Sequence, residues 1–280
     1  MSPEKTLRHI DLDSIPPMPR VAAEIMQQLN SPQSSAEQLA EIIASDPVVA
    51  ARVLRIANSS FYSMSRQVTN LAMAVVVLGE RTLRNLVLAA SLRSLNREFG
   101  PREKILWEDS MVCALASRFL ARSLRIGDPE DLFVAGLFRH IGLIVMNSLD
   151  RFDTDFIVDS LRRGADFSQR EMETFGAHHN DIGAAILEHW NLAESLCYIT
   201  RHHGQPAADP AVDADLVKMT AVVNIAGALP GYLGIFGRPL ATDFMSLPGT
   251  EMLDLDEDKM DELIAEFRLI FEQNRRQFLA

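Results

Sequence analysis

Apolar residues recur at three- and four-residue spacings along most of the chain. The runs AEQLAEIIA (36–44) and DPVVAARVLRIAN (46–58) show the pattern clearly, which predicts helices with one buried face. Asp46 followed by Pro47 predicts a helix start, because an aspartate caps a first turn in which proline is tolerated. Similar breaks, containing Pro or Gly, lie at 31–32, 100–101, 127–129 and 204–206.

One segment could be taken for a strand. Residues 68–79, VTNLAMAVVVLG, contain three consecutive valines, but no second run of strand type lies nearby. We therefore predict a helix that ends at Gly79. Residues 228–257 are rich in Gly and Pro, which predicts an irregular loop, and an amphipathic, acidic helix follows to the end of the chain. The predicted fold class is all-α, a multi-helix bundle.

A boundary is predicted at Gly100–Pro101. Residues 1–100 are expected to form a small N-terminal helical subdomain. Residues 101–280, which contain nearly all the histidines, are expected to form a larger helical bundle on which the subdomain packs.

Composition predicts a cytoplasmic protein without a membrane partner. Hydrophobic residues make up 48% of the 280 residues and charged residues 23%, as in ordinary globular proteins. The longest apolar candidate, Phe133–Leu149, is interrupted by Arg139 and His140, whereas a membrane helix needs about 20 apolar residues. The N-terminus has no apolar stretch of signal-peptide type.

The net charge of −11 argues against nucleic acid as a partner. Charge is uneven, however: residues 81–125 contain nine Lys/Arg and four acids, and residues 251–280 contain nine acids and four bases. The basic stretch is interpreted either as a set of solvated helix faces or as a docking surface for an acidic partner. A homo-oligomer that joins the two stretches is also open.

Several strings, in this order, carry a family resemblance: IPPMPRVAAEIMQQLNSP (15–32), AEIIASDPVVAARVLRIANSSFYS (40–63), LAMAVVVLG (71–79), AGLFRHIG (135–142), HHNDIGAAILEHW (178–190) and ITRHHG (199–204). Over about residues 14–230 the chain resembles the HDOD family, a divergent branch of the HD phosphohydrolase superfamily. The resemblance implies a bacterial signal-transduction or regulatory module that binds protein partners, and leaves a small-molecule or nucleotide ligand open.

The metal site of HD hydrolases is altered in this chain. In those enzymes a His, a His-Asp pair and further His and Asp residues hold one or two divalent metals, which activate a water molecule. The matching positions here are Asp109, Arg139 with His140, and Asn224. Arginine stays protonated and has no lone pair to donate to a metal. The resemblance thus implies a pseudoenzyme with no catalytic residue and no cofactor; the alternative is residual metal-dependent hydrolysis of a nucleotide or cyclic dinucleotide.

The double exchange at the first two positions suggests a specific replacement. An acid and a base stand where two histidines are expected, so we predict that Asp109 and Arg139 pair and neutralise the site without an ion. In the alternative interpretation both side chains point to solvent.

Two pairs of adjacent histidines remain on the other side of the former site. Neighbours on a helix point about 100° apart, so we expect His179 and one of His202 and His203 to face inward. Together with His140 they could hold a zinc ion, although histidines satisfied by core contacts are the favoured interpretation. Asn58 and Ser59 match an Asn-Ser motif of the family, and are interpreted either as a partner contact or as polar groups that cap a helix end.

Overall fold

A computed structural model describes residues 15–29, 35–59, 62, 67–92, 95, 100–149 and 154–279. Over these residues the regular structure is helical and no β-strand occurs, which confirms the predicted all-α class. Among the described residues one helical stretch, Pro129–Ser148, has the length and hydropathy of a membrane span, and 72% of its apolar window is buried inside the protein.

The chain divides into two compact units. The larger comprises Met1–Pro17 and Asn96–Ala265, and the smaller comprises Met18–Leu95 and Glu266–Ala280. The sequence placed the boundary a little later, at Gly100–Pro101, and kept the chain end with the second part. The last helix begins in the larger unit and ends in the smaller one.

The smaller unit is built around one buried helix. Its helices before the division are α1 (Arg20–Leu29), α2 (Ala36–Ala44), α3 (Pro47–Ala57), α4 (Leu71–Leu78) and α5 (Glu80–Leu92). Helix α5 contacts each of the other four, and its residues from Thr82 to Leu92 are buried.

Local signals in the sequence set the helix ends of this unit. The Asp46 carboxylate accepts hydrogen bonds from two backbone amides in the first turn of α3, and the Asn70 side chain caps α4 in the same way. Gly79 ends α4 with a φ of 79°, a conformation that glycine adopts without strain. The predicted helix start at Asp46–Pro47 and the predicted helix before Gly79 are both confirmed.

The larger unit contains the remaining helices: α6 (Pro101–Leu124), α7 (Pro129–Phe138), α8 (Ile141–Ser148), α9 (Asp155–Arg163), α10 (Ser168–Phe175), α11 (His179–His189), α12 (Glu194–His202), α13 (Ala214–Tyr232), α14 (Pro248–Met252) and the start of α15 (Glu257–Leu279). Helix α6 packs against α7 and α13, and α8 packs against α11. Residues 106–117 of α6 are buried without interruption, so α6 lies at the centre of this unit.

Two glycines allow the close helix contacts that position the site. A Cβ atom on Gly136 would lie 2.7 Å from the Cys113 carbonyl oxygen of α6, and one on Gly142 would collide with the backbone carbonyl of His179. The backbone of α7 therefore lies in contact with that of α6, and the backbone of α8 lies in contact with that of α11. This brings residues 139 and 140, between α7 and α8, close to both of those helices.

The Gly- and Pro-rich segment is more ordered than predicted. Helix α13 continues through Pro230 to Tyr232, and α14 lies inside the predicted loop. The prediction of an irregular loop over residues 228–257 is therefore wrong at both places, because Pro230 and its neighbours are buried and tertiary packing outweighs the helix-breaking tendency of proline.

Candidate functional site

Asp109 and Arg139 form a buried, two-pronged ion pair. Arg139 Nη1 donates to Asp109 Oδ2 at 2.7 Å, and Nη2 donates to Oδ1 at 2.8 Å. The Arg139 side chain is 2% exposed and that of Asp109 is 0% exposed. Arg139 Nη2 also donates to the Gly227 carbonyl at 3.2 Å. The predicted pairing is confirmed, and we refer to it as the Asp109–Arg139 pair.

Two opposing effects act on the charge of this pair. Burial raises the pKa of Asp109, while the charge and hydrogen bonds of Arg139 lower it. A guanidinium that donates to both oxygens requires them to be acceptors, so the pair is ionic at neutral pH. Both charges are thus compensated, which is the condition for burying them without a large desolvation penalty.

His140 shares one oxygen with this pair. Its Nδ1 lies 2.8 Å from Asp109 Oδ2 and 3.0 Å from Arg139 Nη1. Arginine can only donate, and a carboxylate can only accept. Arg139 Nη1 already donates to Oδ2, and the shorter contact of His140 Nδ1 is with that oxygen, so we assign the proton to Nδ1, which donates it to Asp109. In the neutral ring the lone pair is then on Nε2.

His179 is held in the same way by an acid that the sequence analysis did not identify. Its Nδ1 lies 2.7 Å from Glu171 Oε1, and Glu171 is 1% exposed. The neighbouring His178 is 45% exposed, and its Nδ1 lies 3.7 Å from the other Glu171 oxygen, which is too far for a hydrogen bond. Within the described part of the chain the Nε2 atom of His179 is buried and has no hydrogen-bond partner; leaving an ordinary buried polar atom unpaired costs about 1–3 kcal/mol.

His203 is the third inward-facing histidine. Its Nδ1 donates to the Thr200 carbonyl at 2.9 Å, which again leaves the lone pair on Nε2. His202 points elsewhere and packs on the Tyr198 ring, 4.4 Å between centroids. The expectation of one inward residue from each adjacent pair therefore resolves to His179 and His203.

We refer to His140, His179 and His203 as the histidine cluster. Their ring centroids are 5.0, 5.4 and 6.0 Å apart. Each ring places one nitrogen within 4.8 Å of those of the other two. Burial lowers the pKa of His140 and of His203 well below the usual value, and the neighbouring Arg139 and histidines lower both further. These two rings are therefore neutral at pH 7.

Asn224, at the position of the later aspartate, has a structural role. Its amide nitrogen donates to the carbonyls of His203 at 2.8 Å and Gly204 at 3.3 Å, and its oxygen accepts from the Gly249 backbone amide at 3.0 Å. The side chain thus ties α13 to the end of α12 and the start of α14. Both ends of the amide are used for these contacts.

The ligand set of HD hydrolases does not fit this site. Arg139 fills the position of the first residue of the His-Asp pair, its charge is bound to Asp109, and the Asn224 oxygen is engaged by a backbone amide. A different set remains, because the histidine cluster presents three imidazoles whose Nδ1 atoms are already occupied. Those three residues are the ones in this site that could hold a metal.

The proposed contact residues of the smaller unit have structural partners. The Asn58 amide group donates to the carbonyls of Leu54 and Val68 and accepts from the Val68 amide, so it joins the end of α3 to the following segment. Ser59 is 1% exposed. Direct contact of a partner with Ser59 would require this end of α3 to open.

Several cations of the basic stretch 81–125 are paired with nearby acids. Among the described residues four of its nine cations form ion pairs, three of them with acids outside the stretch: Arg84–Glu80, Arg102–Asp155, Lys104–Glu108 and Arg118–Glu130. These contacts favour the interpretation of solvated, paired helix faces over a basic docking surface.

Glu171 could have been found in the sequence from its neighbours. It lies four residues after Phe167 and four before Phe175, so one helical face reads apolar, acidic, apolar. Phe167 stacks on the His179 ring at 5.8 Å and Phe175 is buried. An acid inside an apolar stripe needs a buried partner, although the spacing does not say which residue supplies it.

The comparisons with known proteins agree with this architecture. The family model of the HDOD domain matches residues 15–206. An HDOD domain protein from Geobacter sulfurreducens is similar to the chain with a TM-score of 0.74 and 22% identity, over 97% of this chain and 96% of that one. A Marinobacter aquaeolei VT8 protein, provisionally named a signal transduction protein, has a TM-score of 0.67 at 22% identity, over 95% of this chain and 59% of that one.

A third structure carries a different provisional name. A Shewanella amazonensis SB2B protein, provisionally named a phosphohydrolase, matches with a TM-score of 0.65 at 22% identity, over 95% of this chain and 90% of that one. An uncharacterized protein of Treponema pallidum (strain Nichols) is 24% identical over 221 residues, which are 76% of this chain and 42% of that protein. The chain spans less than half the length of the curated relatives it matches.

Proposed function

The chain belongs to the HDOD domain family, and we propose that it is a non-catalytic regulatory module of signal transduction that acts by binding a protein partner. The observation that carries the proposal is the Asp109–Arg139 pair. A cation fixed to the protein occupies the place where the HD hydrolases use a metal ligand. The function therefore rests on recognition, and no step of phosphate ester hydrolysis is assigned to any residue.

The chemistry of the pair supports this proposal. Metal-assisted hydrolysis needs side chains that donate lone pairs to the ion and a water molecule that the ion makes acidic. Arg139 offers no lone pair, and both Asp109 oxygens already accept hydrogen bonds from it. Asn224 uses its oxygen for the Gly249 amide. Positions 109, 139 and 224 of the HD ligand set are thus committed to protein contacts.

The names of the relatives point in two directions. One structural relative is provisionally named a signal transduction protein and another a phosphohydrolase. At 22% identity these likenesses carry the fold alone. The residues at the site support the signalling role over the hydrolytic one.

The first test is a turnover assay. The full chain, with Mg²⁺, Mn²⁺ or Zn²⁺ added, is incubated with nucleoside monophosphates and cyclic dinucleotides. We expect no product above the level of the metal alone, and the same background from the His179→Asn variant. Metal-dependent turnover that disappears in His179→Asn would overturn the proposal in favour of residual phosphohydrolase activity.

The second test identifies the protein partner by photo-crosslinking. The full chain carrying a photo-crosslinker at an exposed position of the smaller unit, such as Val76 (82% exposed), is expressed in the source cell and its adducts are identified. We expect one protein to be enriched over a chain crosslinked at exposed Leu269. Turnover in the first assay together with no specific adduct in the second would contradict the proposal on both counts.

A further inference from the structure

The histidine cluster places one ring nitrogen from each of three residues within 4.8 Å of the other two. Asp109, Glu171 and the Thr200 carbonyl each accept the Nδ1 proton of one ring. This leaves Nε2 as the ring nitrogen that these contacts do not use in each of the three residues. Carboxylate or carbonyl acceptors behind Nδ1 are the partners that orient metal-binding histidines in proteins.

We propose that the histidine cluster binds one divalent transition-metal ion, preferentially Zn²⁺, through the three Nε2 atoms. Convergent lone pairs need an electron-pair acceptor, and three imidazoles are ligands that suit zinc and its first-row neighbours better than magnesium or calcium. Three protein ligands leave one position of a tetrahedral zinc free for water or an added ligand. The proposal concerns binding of the ion and stands whether or not the regulatory role is correct.

An unsatisfied buried atom supplies independent support. The Nε2 of His179 is buried and has no hydrogen-bond partner among the described residues, although the same ring is held through Nδ1 by Glu171. A ring that is oriented by a buried carboxylate and has its second nitrogen unused is the arrangement expected of a ligand. Packing alone would be satisfied by a phenyl ring at this position.

The charges around the cluster also favour a cation. Asp109, Glu171 and Arg139 together carry two negative charges and one positive charge, a net charge of −1. Arg139 lies on the Nδ1 side of the His140 ring, so the ring separates the guanidinium from the proposed ion. The pairing with Asp109 cancels the repulsion that an isolated arginine would exert on a metal.

The distances require a modest adjustment. The candidate ligand nitrogens lie within 4.8 Å of one another, and tetrahedral zinc with Zn–N bonds of about 2.0–2.1 Å brings its nitrogens about 3.3 Å apart. Small rotations of the rings bring them together. The side chains of His140 and His179 are 13% and 14% exposed, which gives an ion access from solvent.

The set lacks three positions of the HD hydrolase site. It uses neither the residue at 109 nor that at 139 nor that at 224 as a ligand, and it needs no carboxylate in contact with the metal. Asp109 instead acts behind His140 as a hydrogen-bond acceptor.

The test uses the tag-free full chain, stripped with a chelator, and Zn²⁺ alone as the probe. Isothermal titration and elemental analysis after dialysis are expected to give one zinc per chain. His179→Asn is the key variant, because an asparagine amide can still donate to Glu171 but offers no nitrogen lone pair at the Nε2 position. We expect it to keep the unfolding midpoint of the stripped protein and to lose zinc binding.

Matched controls come from the adjacent histidines. His178→Ala and His202→Ala remove the neighbours that point away from the cluster, and both are expected to retain one zinc. Glu171→Gln is expected to bind zinc about 10- to 100-fold more weakly, as for loss of an outer partner of a ligand. Cobalt substitution is expected to give the visible spectrum of a four-coordinate ion, absent in His203→Asn.

Three results would overturn the proposal. The first is less than about a tenth of a zinc per chain at saturating Zn²⁺. The second is zinc binding that survives in a folded His179→Asn protein, and the third is binding lost equally in the two controls. Because hydrolysis is never measured here, failure of this proposal and failure of the regulatory role give different results.

Discussion

The Asp109–Arg139 pair and the histidine cluster adjoin each other at His140, yet they satisfy their polar atoms in opposite ways. On the first side each Asp109 oxygen accepts from the guanidinium and the charges cancel within the pair. On the second side His179 Nε2 is buried without a hydrogen-bond partner among the residues that the structure describes. The exchange of a metal ligand for arginine therefore satisfies the polar atoms only in the half of the site where it occurs. We call the Asp109–Arg139 pair the closed side and the histidine cluster, with Glu171, the open side.

Breaking the closed side should have the largest effect. Asp109→Ala leaves Arg139 buried without compensation, and we expect the free energy of unfolding to fall by about 3–5 kcal/mol. Urea denaturation measures it. The double variant Asp109→Leu with Arg139→Met, which replaces the charges by apolar groups, should recover most of the loss.

The control for this prediction is an exposed ion pair. Arg102→Ala removes the pair with Asp155, whose side chains are 49% and 67% exposed, and should change stability by less than about 1 kcal/mol. An Asp109→Ala protein as stable as Arg102→Ala would mean that water reaches the closed side.

Separating the helices that hold the open side should have the next largest effect. In Gly142→Ala the new methyl group meets the His179 carbonyl and the Gly183 backbone nitrogen, so α8 and α11 must move apart. We expect a loss of about 3 kcal/mol, at the upper end for overpacking. The control is Gly204→Ala, where the added Cβ meets a single side-chain atom, Asn180 Nδ2, at 3.2 Å, so it separates backbone crowding from the loss of glycine itself.

Lowering the pH should destabilise the protein through the buried histidines of the open side. The pKa of His140 and of His203 is lowered in the folded protein, so below pH 6.5 the unfolded chain binds protons that the folded chain does not. Stability should therefore fall as the pH drops, by about 2 kcal/mol between pH 6.5 and 5.5 for the two groups. Urea denaturation in chelator at both pH values measures it.

The matched variant for this measurement carries His140→Asn and His203→Asn. It should show a flatter dependence on pH over the same interval, whereas His178→Ala should keep the original slope. Equal slopes in all three proteins would place the titrating groups elsewhere.

The smallest effect is expected from the outer partner of the open side. Glu171→Gln replaces a charge-assisted hydrogen bond to His179 by a neutral one, so we expect the metal-free protein to lose about 1 kcal/mol. Thermal unfolding of both proteins in chelator gives the comparison. A loss as large as that of Asp109→Ala would contradict the distinction between the two sides.

Features encoded by neighbouring residues could be predicted from the sequence. The helix start at Asp46 and the end at Gly79 depend on one or two adjacent side chains. The Asp109–Arg139 pair was also predictable, because two opposite charges replace two residues that the resemblance places together. In each of these cases the interacting residue is either adjacent in the sequence or identified by the family pattern.

The rest of the site depends on contacts that no local pattern specifies. Glu171 reaches His179 because α10 ends just before α11 and turns its one apolar face inward. The ion pairs of the basic stretch could not be assigned from the sequence, because acids such as Glu130 and Asp155 lie outside that stretch. The choice between His202 and His203 depends on the packing of α12 against its neighbours, which the adjacent-pair argument could not assign.

One oxygen atom of Asp109 links the two sides. Oδ2 accepts from both Arg139 Nη1 and His140 Nδ1, so both donors compete for the same electron density. An event that draws charge from the His140 ring makes its N–H a stronger donor and weakens the competing bond from Arg139. A change at the histidine cluster therefore alters the strength of the hydrogen bonds that Asp109 in α6 accepts. Through Arg139 it also alters the bond to the Gly227 carbonyl in α13, and no helix has to move.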